Sequence, residues 1–302
     1  MEKKLLFFVN PSAGKEGIRT HLLDVINRFT AAGYLVTVHP TQAPAELTAY
    51  LQQQGGGYEL AVCCGGDGTL NEAVTGLMAM PEEARPLLGY IPAGSVNDFA
   101  TSLHLPKDIP GAVQVILEGS PFSCDLGQFN DRYFCYVAAF GAFTNVSYET
   151  PHKSKAVLGR GAYVLEGVKS LSEIRAIPVK VTYEGRTLET EVLYGMVANS
   201  TSVAGMKMPA LAQAQMNDGI SEVVLIRKLD SLAAYNSMLQ AYLAKNFEDE
   251  RYFYCFRTSH VIFDFPEEIA WTLDGEFGGN ITHAEICNIQ GAFRILAPAD
   301  AA

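Results

Sequence analysis

The sequence predicts an N-terminal doubly wound α/β domain followed by a C-terminal antiparallel β-sandwich, with a site in the cleft between them. Three observations carry this. Up to about residue 120, short unbroken apolar runs alternate with stretches whose apolar residues recur at helical spacing, as expected of parallel strands covered on both faces by helices. From about Cys124 the period changes to two, with hairpin turns between runs. Glycine-rich turns follow three of the early strands, and open α/β sheets bind ligands beyond the carboxyl ends of their strands.

The elements follow in order. Leu5–Val9 is a continuous apolar strand, and Ile18, Leu22, Val25, Ile26 and Phe29 mark one face of a helix that Gly33 terminates. Tyr34–Val38 is a second strand, Ala45–Gln54 a helix, and Tyr58–Cys64 a third strand. Leu70, Ala73, Val74, Leu77 and Met78 define the next helix, and Leu87–Ile91 the next strand. In the second half, Val179–Tyr183 and Arg186–Met196 flank Glu184-Gly185 as a hairpin, and Phe129–Tyr133 holds another. Ile220–Arg227, Arg251–Arg257, Val261–Phe265, Ile269–Leu273 and Ala284–Ile289 are further strands, with helical patterns at Ala156–Leu171 and Ser231–Lys245. The domains are set at 1–126 and 127–290, to within about four residues, and a last strand over 291–302 is a candidate to return to the first domain.

Composition narrows the function. Of 302 residues 48% are apolar and 18% charged, which excludes a disordered chain, and the net charge of −11 disfavours general nucleic-acid binding. The longest apolar run, Tyr136–Phe143, is far short of a membrane span, and the N-terminal apolar run is too short for a signal-peptide core. The six cysteines lack C-x-x-C spacing and read as reduced core thiols of a cytoplasmic protein. No histidine pair has metal-ligand spacing. A locally basic amphipathic stretch, His152–Arg175, reads either as a packed helix or as a rest for an anionic membrane surface.

The turns carry the chemistry. Gly65-Gly66-Asp67-Gly68-Thr69 closes a buried strand and opens a helix, so its backbone can approach an anion at a helix N-terminus. A carboxylate in that cradle would repel phosphate unless a cation lies between, so Asp67 implies Mg²⁺; a plain strand–helix turn is the competing reading. Pro92-Ala-Gly-Ser-Val-Asn-Asp98 repeats the arrangement, and Asn10-Pro-Ser-Ala-Gly14-Lys15 is a third turn without Walker A spacing. Asp274-Gly275-Glu276 ends an apolar strand in two acids. A half-buried Glu276 with a raised pKa would suit a general base, although a hairpin corner explains the same residues.

Taken in order along the chain, these turns resemble those of the diacylglycerol kinase catalytic-domain family, in its soluble bacterial branch of diacylglycerol kinase and YegS-like lipid kinases. The resemblance implies an ATP- and Mg²⁺-dependent lipid kinase, diacylglycerol to phosphatidic acid being the expected reaction. It implies an ATP site of Asn10, Pro11, Ser12, Ala13, Gly14, Thr41, Gly66, Asp67, Gly68, Thr69, Leu70, Asn71, Glu72 and Ser95, with Lys15 and Arg19 as phosphate contacts. Asp67, Asp98 and Asp125 would hold the catalytic Mg²⁺, Glu276 would take the hydroxyl proton, and Asp218 with the main-chain oxygens of Gln215 and Ile220 would bind a structural metal. The expected partners are a lipid with a free hydroxyl and transient contact with the inner membrane face, with a homodimer as candidate assembly. An NAD or polyphosphate kinase, and a non-catalytic nucleotide- or lipid-binding regulator, are the alternatives.

Overall fold

A computed structural model describes residues 2–13, 18–142, 175–203, 206–207, 211–244 and 246–299. Four strands, β1 (Lys3–Val9), β2 (Tyr34–Pro40), β3 (Leu60–Gly65) and β4 (Leu87–Pro92), pair in parallel in the order β2-β1-β3-β4. The helices are α1 (Leu22–Ala31), α2 (Glu46–Gln54), α3 (Asp67–Met78), α4 (Asp98–Ser102) and α5 (Ile109–Glu118). β1 shows why its apolar run is unbroken. Leu6 and Phe8 join one core with Leu47, Leu51, Leu70 and Leu77, while Leu5, Phe7 and Val9 join another with Val25, Phe29, Val113 and Ile116. Both faces are therefore dry, as parallel sheets require. Helix α5 is an addition to the elements the sequence predicts; Asp108 caps it, accepting the Gly111 amide at 2.8 Å.

The second domain is antiparallel. It comprises β5 (Ser120–Phe129), β6 (Arg132–Phe134), β7 (Val137–Gly141), β8 (Ile177–Tyr183), β9 (Arg186–Ala198), the short pair β10 (Ser202–Val203) and β11 (Met206–Lys207), β12 (Ser221–Arg227), α6 (Leu232–Leu243), β13 (Phe253–Thr258), β14 (His260–Leu273) and β15 (Glu276–Ala297). Strands β9 and β14 each pair with both β7 and β8, which wraps the sheet around Phe129, Phe140, Phe263 and Trp271. Two sequence-predicted strands merge into β14, whose register shifts between Asp264 and Ile269. Pro266 sits in that interval and has no amide to give the ladder.

Strand β15 is far longer than the predicted Ala284–Ile289. It pairs antiparallel with β5 along both and ends beside β4, where Ile295 faces Leu88. One sheet thus runs through both halves. The cysteine expectation is corrected in part: all six are free thiols, but only Cys63, Cys64, Cys124 and Cys135 are buried, while Cys255 is exposed and Cys287 half-buried. The predicted helix at 156–171 and nearly all of the basic stretch lie outside the described residues. Among the described residues no helix is long and apolar enough to cross a membrane.

Candidate active site

The turns after β1, β3 and β4 meet at one end of the parallel sheet. Asn10 donates from Nδ2 to Thr69 Oγ1 at 3.2 Å, while its Oδ1 accepts the Ser12 amide at 3.0 Å. The glycines at the next contact are needed for space: a Cβ on Gly94 would lie 2.6 Å from Gly66 Cα and 2.7 Å from Asn97 Oδ1. Asn97 secures this loop from a positive φ, its side chain exchanging two hydrogen bonds with the backbone of Gly94. A cleft of about 270 Å³ opens here, lined by Asn10, Ser12, Thr41, Gln42, Ala43, Pro44, Thr69 and Glu72. Five of the expected nucleotide residues are thereby brought together. Gln42, Ala43 and Pro44 were missed, although they follow a strand end and the same rule that found the other turns would have found them.

The carboxylates lie behind this cleft. Asp67 opens α3, and its Oδ2 accepts the Asp98 amide at 3.3 Å. Its Oδ1 is buried with no hydrogen-bond partner among the described residues. Burial, then the charges of Asp274 and Asp98, push the Asp67 carboxyl up to about 6. Asp98 is fully buried and accepts from Ser202 Oγ at 2.7 Å, a contact that reaches across from the second domain. The same acids, with burial ahead of them, raise the Tyr136 phenol. A bare buried oxygen amid like charges is the donor chemistry a divalent cation relieves. Asp67 and Asp98 fit a catalytic Mg²⁺ on that ground.

Several expectations change. Asp125 is fully buried, accepting from the amides of Gly219 (2.6 Å) and Gly291 (2.8 Å). Burial raises it, with these two hydrogen bonds opposing, and the neighbouring charge it feels is Asp218. At the expected structural metal, Asp218 Oδ1 accepts the Ile220 amide and Oδ2 accepts Arg257 Nη2. Arg257 also donates to Glu222 Oε1 at 3.1 Å. The Arg257 guanidinium thus stands against Asp218, the side chain that the resemblance assigns to a structural ion with the main-chain oxygens of Gln215 and Ile220. Leu70 is fully buried in the apolar core, so its side chain cannot line a nucleotide site. Ser95, Gly68, Pro11 and Arg19 are exposed at the surface, Gly66, Ala13 and Glu72 partly so, and Gly14 and Lys15 lie outside the described residues.

The terminal turn buries the other of its two acids from the one expected. Asp274 and Gly275 have φ of 50° and 85°, and Leu273 pairs with Glu276, which is a two-residue hairpin turn. Glu276 is exposed, not half-buried. Asp274 is the buried acid: it accepts the amides of Cys135 (2.6 Å), Tyr136 (2.9 Å) and Val137 (3.1 Å), and Asn71 Nδ2 at 2.9 Å. Burial pushes its carboxyl up and these four donors pull it back. Asn71 also donates to Tyr133 O at 3.1 Å, so it ties α3 to the second domain rather than facing a nucleotide.

This geometry agrees with comparisons to known proteins. Residues 4–129 match the family described as diacylglycerol kinase catalytic domain, and residues 138–296 match the YegS C-terminal NAD kinase beta sandwich-like domain. Proteins named diacylglycerol kinase from Staphylococcus epidermidis and Staphylococcus aureus are each 33% identical over 301 residues, covering 99% of this chain and 94% of theirs. The chain belongs to the diacylglycerol kinase catalytic-domain family. Two solved structures of Bacillus anthracis str. Sterne proteins are similar throughout. One is 26% identical with a TM-score of 0.82, covering 99% of this chain and 97% of that one. The other is 25% identical with a TM-score of 0.80, covering 100% and 99%. As a member of this family the chain is a lipid kinase, a phosphotransferase with an alcohol group as acceptor.

Proposed function

We propose that this lipid kinase uses ATP and Mg²⁺ to phosphorylate the free hydroxyl of diacylglycerol, yielding phosphatidic acid. The observation that carries the reading is the bare, buried Oδ1 of Asp67, set between glycine-lined turns and beside Asp98. The first turn of α3, at Gly66–Thr69, offers backbone amides and the helix's positive end to the phosphates, with the turns at Asn10–Ser12 and Gly94–Ser95 beside it. Asp67 and Asp98 would hold the Mg²⁺, which would supply charge neutralisation for the transferred phosphoryl group. Glu276 stands exposed on the hairpin tip, where a hydroxyl presented by a lipid can reach it, and accepts the proton as the oxygen attacks. Asp274 holds that tip in place. The relatives' names support diacylglycerol as acceptor, and transient contact of the hairpin side with a membrane surface follows from a substrate embedded in lipid.

The test is transfer of label from ATP to vesicles containing diacylglycerol, phosphatidylglycerol or a sphingoid base, with NAD as a soluble control. Labelled phosphatidic acid, formed only with Mg²⁺, is expected. Glu276→Gln should keep ATP binding while lowering turnover roughly 10²–10⁴-fold, the usual range for a lost general base. Label on NAD alone, or on no lipid, rejects the reading; undiminished turnover in Glu276→Gln rejects the base.

A further inference from the structure

Strands β14 and β15 pair with His260 opposite Cys287 and Ile262 opposite Glu285. The residues between them in sequence, Val261 and Ile286, are buried in the sandwich core. Alternation therefore turns His260, Glu285 and Cys287 onto the other face. There His260 Nε2 lies 2.9 Å from Glu285 Oε1, and with Cys287 Sγ the three atoms all fall within 4.8 Å of one another. The backbone beneath them is pinned. The His260 amide donates to Thr258 Oγ1 (3.2 Å), the Glu285 amide to Asn130 Oδ1 (2.9 Å), and the Asn288 amide to Ser259 O (2.8 Å).

We propose that His260, Glu285 and Cys287 form a site for a zinc-class transition metal, separate from the catalytic Mg²⁺. Imidazole nitrogen, carboxylate oxygen and thiolate sulfur are the donor set of Zn²⁺, whereas Mg²⁺ takes oxygen ligands in octahedral geometry. Bonds of about 2.0–2.3 Å set tetrahedral ligand atoms about 3.3–3.7 Å apart, a distance these side chains reach by small rotations on fixed strands. The sulfur–metal bond forms as the thiol proton leaves to solvent, and exposure of His260 and Glu285 leaves the fourth position to water. Cys287 lies just before Gly291, where β15 departs from its first register with β5. Asp274 and Glu276 are at the far end of the same hairpin. A bound ion would clasp β14 to β15 where β15 crosses between domains, without touching the reacting groups.

Cobalt(II) titrated into the full-length protein, with Mg²⁺ present in excess, tests this. The expected result is a sulfur-to-cobalt charge-transfer band that saturates at one equivalent, is bleached by Zn²⁺, persists in Cys255→Ser and is lost in Cys287→Ser. His260→Ala should weaken cobalt binding at least about tenfold while the kinase assay is unchanged. No band, a band retained in Cys287→Ser, or affinity unaffected in His260→Ala overturns the proposal.

Discussion

At the scale of single residues, Asp67 is where a raised carboxyl and the proposed Mg²⁺ coincide. Its folded carboxyl at about 6 stands above an ordinary value of 3.8, with burial the first cause. A raised acid binds its proton more tightly folded than unfolded, so stability is highest below the unfolded value and declines as pH rises toward the folded one. A rise of that size corresponds to about 3 kcal/mol at most. Without Mg²⁺ at pH 8, Asp67→Asn should therefore raise Tm by a few degrees, and at pH 4 by much less. Mg²⁺ with nucleotide should raise the Tm of the natural protein at pH 8 and leave the variant unmoved. Thermal melts at both pH values decide it; equal Mg²⁺ shifts in the two proteins would remove the ion from Asp67. The place of Asp67 at the head of α3 was legible in the sequence, because glycines between a buried apolar run and a helical pattern mark a strand–helix turn. That of Asp274 was not. An Asp-Gly turn residue ordinarily faces solvent, and only the fold brings Cys135, Tyr136 and Val137 over this one. With Asp274 turned inward, Glu276 is left to the surface.

At the scale of elements, the turns at Gly66 and Gly94 touch backbone to backbone, so their spacing is set by what glycine lacks. A methyl group on Gly94 would press on Gly66 Cα and Asn97 Oδ1, neither of which can rotate away as a flexible side chain does. Gly94→Ala should push the turns apart at a cost of about 1–3 kcal/mol, read as a roughly tenfold or greater loss of ATP affinity by equilibrium binding. A Cβ on Gly57, away from the cleft, would meet nothing within 4 Å, and that residue has no positive φ, so Gly57→Ala serves as the control and should bind normally. Equal affinities in the two variants would show that turn spacing does not matter. The strands and helices around these turns were readable because each has a clean period: β1 from Leu5 onward and all of β3 are buried, and α3 carries Leu70, Ala73, Val74 and Leu77 inward. The length of β15 was not readable. Its polar stretch from Asn288 to Gly291 breaks the alternation, yet Asp125 accepts the Gly291 amide and Asn288 donates to Asn199 and Ser221, which is tertiary information.

At the scale of the whole molecule, the question is whether two halves that share one apolar cluster, from Leu6 and Leu70 to Val137 and Met196, unfold separately. Domains joined by a linker often do. Here β15 and β5 run as one ladder out of the sandwich and into the first domain, ending where Ile295 meets Leu88. Asn71 to Asp274 and Ser202 to Asp98 add hydrogen bonds between buried or half-buried groups across the halves. Opening the interface would take Ser202 Oγ from Asp98 and leave Asn71 Nδ2 without Asp274, each such loss costing about 1–3 kcal/mol. The halves should therefore melt together. Trp271, the only tryptophan, is fully buried in the sandwich core and reports the second domain; five of the six α-helices described lie in the first and dominate far-ultraviolet circular dichroism. Urea curves by fluorescence and by dichroism should share one midpoint, and Asp274→Ala should move both by the same amount. A fluorescence transition that precedes the dichroism transition, with Asp274→Ala shifting only the former, would mean that the β15 ladder does not couple the two halves.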